Sequence, residues 1–135
     1  MNFDFLSKIN LGWVYLFTTI ITSVTSQILI KWRVSTFVVK MLPMPIELWS
    51  KIVFLFKVVF DPFIFSALCL TFISGLCWMA TMTKFDISFA YPFTLLGFVA
   101  VLLLSALLLG ENFNAYKIVG CVIIILGVLI TSKGL

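Results

Sequence analysis

The sequence contains no histidine, three cysteines and five carboxylates in 135 residues. A structural zinc or haem site would have almost no ligands to draw on, so no metal and no other cofactor is expected. Cys69, Cys77 and Cys121 all sit inside apolar runs, where a thiol reads as a small hydrophobe rather than as half of a disulfide. No nucleophile and base pair and no phosphate-cradling glycine loop can be assembled from what remains, so an enzyme is not expected. Charge is scarce as well, at 10% of residues. What the chain has in abundance is apolar surface, at 63%. A soluble domain of this length buries only about two-thirds of its unfolded surface, and the rest would be an aggregating apolar skin. Fifteen Phe and four Trp also exclude disorder. The natural solvent is lipid. The net charge of +4 lies mostly at the ends of apolar runs, which suits anionic lipid headgroups and gives no reason to expect a nucleic-acid partner.

A helix crossing the hydrocarbon core needs roughly 20 largely apolar residues. Four runs meet that need: Gly12 to Trp32, Pro62 to Thr83, Ile87 to Gly110 and Tyr116 to Ser132. Trp13 and Trp32 bracket the first, at positions suited to the headgroup layer. That run is longer than the apolar core of a signal peptide and no small-residue cleavage site follows it, so it is expected to be retained. Asp61-Pro62 supplies a helix cap with proline at the first helical position. Lys84 and Asp86 charge a short turn, which predicts a tight antiparallel hairpin of the second and third spans. Between Arg33 and Phe60 the sequence is neither span nor ordinary loop. Pro43 and Pro45 break it, and Ile46 to Phe60 is too short to cross and carries Glu47, Lys51 and Lys57 on one arc, which predicts an amphipathic helix, interfacial or re-entrant. The expected fold is an all-α membrane protein, one four-helix transmembrane domain over residues 1–135 with that extra helix in its first loop. Arg33, Lys40, Lys51, Lys57 and Lys117 fall on one side, with Lys31 at its boundary, against Lys8, Lys84 and Lys133 on the other. The positive-inside bias then puts the first loop in the cytoplasm and both termini outside.

Polar side chains inside lipid mark the buried face of each helix. Thr19, Ser23, Gln27 and Lys31 recur at helical spacing in the first span, and Thr18, Thr22 and Ser26 broaden the stripe. Ser66, Ser74, Thr81 and Trp78 continue it in the second span, and Ser88, Tyr91 and Thr94 in the third. The fourth has nothing polar between Ile118 and Ile130 but places Gly120 and Gly127 a heptad apart, a pattern for close helix packing or dimerisation. The first three spans are therefore expected to wall a polar groove. The structural alternatives are plain: hydroxyls bonding their own backbone, Lys31 snorkelling to the interface, the Phe residues and Trp78 facing lipid, and Pro92 in the first turn of its helix. No carboxylate lies in the middle of a span, since Asp61, Asp86 and Glu111 are all at ends. That disfavours exchange of a cation for protons at mid-membrane. Lys31, backed by Arg33, suits a phosphate, and Glu111 emerges on the same side to hold Lys31 when the site is empty.

These residues resemble a known group. The pattern Ser23-x-x-x-Gln27-x-x-x-Lys31, the Ala90-Tyr91-Pro92 opening of the third span, Gly110-Glu111 at its end and a glycine-spaced fourth span look like the small multidrug resistance and EamA-like branch of the drug/metabolite transporter superfamily. Within it the chain is most similar to subunits that flip undecaprenyl-phosphate-linked aminoarabinose. The likeness covers residues 12–33 and 62–132. It departs from drug exporters in carrying Ser23 where they have a first-span glutamate, and its first loop is longer. The resemblance implies a bacterial inner-membrane protein that pairs with a second copy or with a related four-helix subunit.

The leading expectation is a flippase for a polyprenyl-phosphate-linked sugar. Lys31 and Arg33 would take the phosphate, Gln27, Ser23 and Tyr91 would bond phosphate or sugar, and Trp78 and Glu111 would complete the site. A polyspecific drug exporter and a non-transporting subunit of a glycosyltransferase complex are the alternatives.

Overall fold

A computed structural model describes the backbone of residues 3–40 and 47–134, and side chains within 10–36 and 47–133. The described residues form five α-helices: α1 (Phe3–Lys40), α2 (Leu48–Val59), α3 (Pro62–Met82), α4 (Ile87–Leu109) and α5 (Ala115–Thr131), closed by a single 3₁₀ turn at Ser132–Gly134. Three of them contain stretches long and apolar enough to cross a membrane: Asn10–Thr36, Pro62–Met82 and Ile87–Leu109. The fourth expected span, α5, has 17 residues, at the lower limit of crossing length.

The first helix outruns its expected end at Trp32 by eight residues. Lys31 and Arg33 end the apolar run, but charge does not break a helix, and no proline or glycine intervenes before Pro43. Hydropathy thus marks where the membrane ends and not where the helix does. The break expected at Pro43 and Pro45 lies outside the described residues. Downstream, the segment expected to be amphipathic over 46–60 contains α2 at Leu48–Val59, and none of the helix's residues is buried.

The expected cap forms at Asp61, whose carboxylate accepts the backbone N–H of Phe63 at 3.1 Å and of Ile64 at 3.4 Å, with Pro62 in the first turn. The chain reverses through residues 83–86, where the N–H groups of Lys84 and Phe85 both bond the Thr81 carbonyl. The turn is tight, yet α3 and α4 make little contact with each other. Instead α1 packs along α3 and against α4, so the hairpin opens around it, and α5 packs on the outside of α4. A Cβ at Gly12 would lie 2.8 Å from Phe85 and 3.0 Å from the Cβ of Lys84. That contact brings α1 directly against the hairpin turn.

The core sits at this end of the molecule. Leu16, Phe85, Phe89, Ala90, Phe93 and Val128 are buried together. Trp13 meets the rings of Phe85, Phe89 and Phe93 edge-on, with centroids 5.3, 5.9 and 5.2 Å away. Each such pair adds about 0.5–1.5 kcal/mol beyond area burial. This corrects the reading of the phenylalanines as lipid-facing: three of them face inward, and the partly buried Trp13 packs against them. Lipid tails are as apolar as these rings, so what favours the cluster is close packing rather than escape from solvent. Pro92 is the sixth residue of α4, within the helix and not in its first turn, and there it removes the ladder bond its N–H would have made to the Ser88 carbonyl.

Candidate functional site

Because α1 separates α3 from α4, the two hairpin helices stand as walls and one face of α1 forms a floor. The groove so formed has a volume of about 480 Å³. Thr19, Ser23 and Gln27 face it from α1, Thr71, Ser74 and Trp78 from α3, and Thr94 and Phe98 from α4. Gly75 also lines it, with nothing described within 4 Å of where a Cβ would sit. Gly97 lets α4 close on the floor, since a Cβ there would lie 3.5 Å from Ile20 and 3.6 Å from Val24. The lining is mainly apolar, interrupted by the hydroxyl and amide groups of Thr19, Ser23, Gln27, Thr71, Ser74 and Thr94, and carries no charge.

The hydroxyls of this region are mostly satisfied locally. Thr19 donates to the Tyr15 carbonyl at 2.9 Å, Ser26 to Ser23 and Thr81 to Cys77. One hydroxyl bonds between helices: Ser74 Oγ donates to the Thr19 carbonyl at 2.9 Å, tying wall to floor. Gln27 Nε2 donates to Ser23 Oγ at 3.2 Å, so these two residues face the groove as a linked pair. Of the broader stripe, Ser26 is buried, Thr18 bonds Val14, and Ser66 is exposed and bonds Phe63. The polar column therefore divides between packing and groove.

Two ion pairs stand at the end of the groove remote from the aromatic core. Lys31 and Arg33, two residues apart on α1, point about 200° apart. Lys31 reaches toward the end of α4 and Arg33 toward the start of α3. Lys31 Nζ lies 3.0 Å from Glu111 Oε1, and both side chains remain open, 60% and 36% exposed. Gly110 positions the carboxylate: at φ 67° it ends α4 in the left-handed region, and the N–H groups of Gly110 and Glu111 both turn back to the Ser105 carbonyl. The hydrogen bond from Lys31, assisted by the Ser105 hydroxyl, holds the Glu111 carboxyl below the ordinary carboxylate range.

The second pair is of another kind. Arg33 Nε and Nη2 clasp Asp61 Oδ1 and Oδ2 at 2.9 and 2.6 Å, with the Asp61 side chain 6% exposed. Phe63 lies under the guanidinium, 5.0 Å from its carbon. The guanidinium, with the Ile64 and Phe63 amides beside it, keeps the Asp61 carboxyl below its usual range despite burial. Asp61 thus caps α3 and anchors it to α1 with one group. The sequence pattern places Arg33 beside Lys31 on an anionic ligand, whereas the structure joins it to Asp61. That pattern marks Asp61 as a cap but not as an ion-pair partner, because its separation of 28 residues from Arg33 leaves no periodic signal.

The remaining expected residues lie nearer the core. Trp78 is half-buried on the α3 wall and meets the Tyr91 ring edge-on, with centroids 6.0 Å apart. Tyr91 itself is exposed beside the groove. The structure therefore gathers Ser23, Gln27 and Trp78 at the groove, Tyr91 against its wall, Lys31 with Glu111 at the opposite end, and Arg33 away from them on Asp61.

Comparison with curated proteins and with solved structures gives no match. A family model does match, over residues 5–133, and its description is the EamA-like transporter family. With three helices long and apolar enough to span a membrane, this multi-pass membrane protein belongs to the EamA-like transporter family, whose members are transporters and not enzymes.

Proposed function

We propose that the protein flips a polyprenyl-phosphate-linked sugar across the bacterial inner membrane. In its most specific form the cargo is undecaprenyl-phosphate-linked aminoarabinose. The observation that carries this reading is the distribution of charge about the groove: uncharged hydrogen-bonding groups along it, and an ammonium at its open end held by an exposed carboxylate. An exposed ion pair contributes little stability, so a phosphate, with more negative charge and more acceptor oxygens than one carboxylate, can take Lys31 from Glu111. Gln27 and Ser23 lie one and two turns further in and are suited to sugar hydroxyls. Trp78 offers a ring to the sugar deeper in the groove, with Tyr91 packed against it from outside. Arg33 stays with Asp61 and adds positive potential near the entry.

Three helices around an open groove do not enclose a path, so the transporting unit is a homodimer, or a heterodimer with a related four-helix subunit. In this unit α5 serves as the fourth span, the first loop lies in the cytoplasm and both termini lie outside.

The test is translocation of a labelled polyprenyl-phosphate sugar in proteoliposomes. Wild type should translocate it, Lys31→Ala should lose at least about tenfold, and Glu111→Gln should lower the apparent KM by releasing Lys31. Full translocation by Lys31→Ala would refute the phosphate site. Proton-driven efflux of a cationic dye that needs Glu111 would favour drug export, and activity of a partner glycosyltransferase that survives Lys31→Ala but not deletion of α2 would favour an assembly subunit.

A further inference from the structure

A second groove runs on the other flank of α1, further along the same face of α4. It has a volume of about 470 Å³ and lies between α1 and the last turns of α4, lined by Thr25, Ile28, Leu29 and Trp32 on one side and by Leu104 and Leu108 on the other. Thr25 is its one hydroxyl- or amide-bearing lining residue, against six in the first groove, and Trp32 and Leu108 at its upper end are 43% and 65% exposed. Val24 lines both grooves. From the level of Val24 to that of Trp32 the apolar groove follows α1 for eight residues, about 12 Å. Its upper end adjoins the cation: Lys31 immediately precedes Trp32, and Glu111 follows Leu109, which also lines the groove, by two residues.

We infer that this groove is the seat of the substrate's hydrocarbon chain, so that a polyprenyl phosphate lies with its phosphate on Lys31, its headgroup in the polar groove and its first isoprene units against Leu108, Trp32 and Leu29. This rests on the flippase reading above. The occupant is specified by charge and polarity together. A chain seated here is continuous with Lys31, which an exposed carboxylate holds only weakly, and the polar groove lies on the opposite flank of α1, where Gln27 is one turn from the same cation. A neutral chain would gain the aliphatic contact and forgo the ion pair. A soluble sugar phosphate would do the reverse.

Photolabelling tests it. The full chain is reconstituted in phosphatidylcholine vesicles with a polyprenyl phosphate carrying a diazirine in its first isoprene units, and the labelled residues are mapped. Label should concentrate on Trp32, Leu104 and Leu108, compete with unlabelled polyprenyl phosphate but not with equal phosphatidylglycerol or uncharged polyprenol, and fall about tenfold in Lys31→Ala. Leu108→Trp, which fills the groove from an exposed position, should lower the label to the same degree while the purified protein keeps the wild-type melting temperature. Label spread evenly over α5 and α2, or displaced equally by phosphatidylglycerol, would mean that ordinary bilayer lipid fills the groove and would overturn the inference. Translocation of the lipid-linked sugar without label in this groove would refute the inference alone. Groove labelling without translocation would instead refute the transport reading.

Discussion

Two cations of the first helix have opposite fates because a difference of two residues turns them to opposite flanks. Arg33 meets a carboxylate that is buried and already receives two backbone N–H groups, so the planar fork of the guanidinium is used fully. Lys31 meets an exposed carboxylate with one contact. Arg33→Ala and Asp61→Asn should therefore lower the melting temperature in detergent clearly more than Lys31→Ala, which should scarcely change it. Differential scanning fluorimetry on the three variants checks this order. Both carboxyls titrate below their ordinary range in the folded protein, which means the stabilisation they give is fully present above the unfolded carboxylate range and is lost as pH falls through the lowered folded values. Stability should accordingly be level from neutral pH to about 5 and decline below about 4, with a shallower acid decline in Asp61→Asn. Gly75 supplies a third test at this scale. A Cβ there meets no described atom within 4 Å and the position lines the groove, so Gly75→Leu should fold normally and lose most transport, as measured in proteoliposomes.

At the scale of elements, the sequence is most legible where local chemistry decides. The start of α3 follows from Asp61-Pro62 and the end of α4 from Gly110, whereas Asp86 precedes α4 without a side-chain cap bond. It is least legible where packing decides. The end of α1 carries no breaker, so composition cannot place it. Which phenylalanines turn inward depends on α1 sliding against the hairpin turn at Gly12, a contact between positions more than 70 residues apart. Gly12→Val should thus cost about 1–3 kcal/mol by overpacking the Phe85 ring, whereas Gly97→Ala, which meets only ordinary contact distances, should stay within about 0.5 kcal/mol of wild type. Chemical denaturation of the two variants separates them. The groove lining is partly legible for the same reason. Ser23 and Gln27 are set by α1 periodicity alone, but Thr71 and Gly75 reach the groove because α3 and α4 splay, and no spacing encodes that. For α2, Trp49 and Phe56 are a heptad apart and both exposed. An interfacial helix places spin labels at 49 and 56 at equal, shallow depth, while a re-entrant one separates them by about 10 Å along its axis.

The whole molecule leaves most of its spanning surface uncovered: only 22%, 17% and 17% of the three spanning windows are buried within the chain. Lipid covers part of that surface, and the proposed dimer covers the groove and α5. At Gly120 and Gly127 no described atom lies within 4 Å of where a Cβ would sit, so isoleucine at both sites should leave the monomer folded yet weaken self-association in a detergent crosslinking assay if α5 is the dimer seam. On the proposed mechanism, transport depends in turn on the ammonium of Lys31 meeting phosphate. Solid-state dipolar recoupling between ¹⁵N of Lys31 and ³¹P of a polyprenyl phosphate in reconstituted vesicles measures that contact directly. The account predicts a nitrogen to phosphorus distance of about 4 Å, as for a charge-assisted hydrogen bond to a phosphate oxygen, with the Glu111 carboxylate displaced. A saturating polyprenyl phosphate that produces no dephasing at Lys31 while sugar transfer proceeds at its full rate would contradict it.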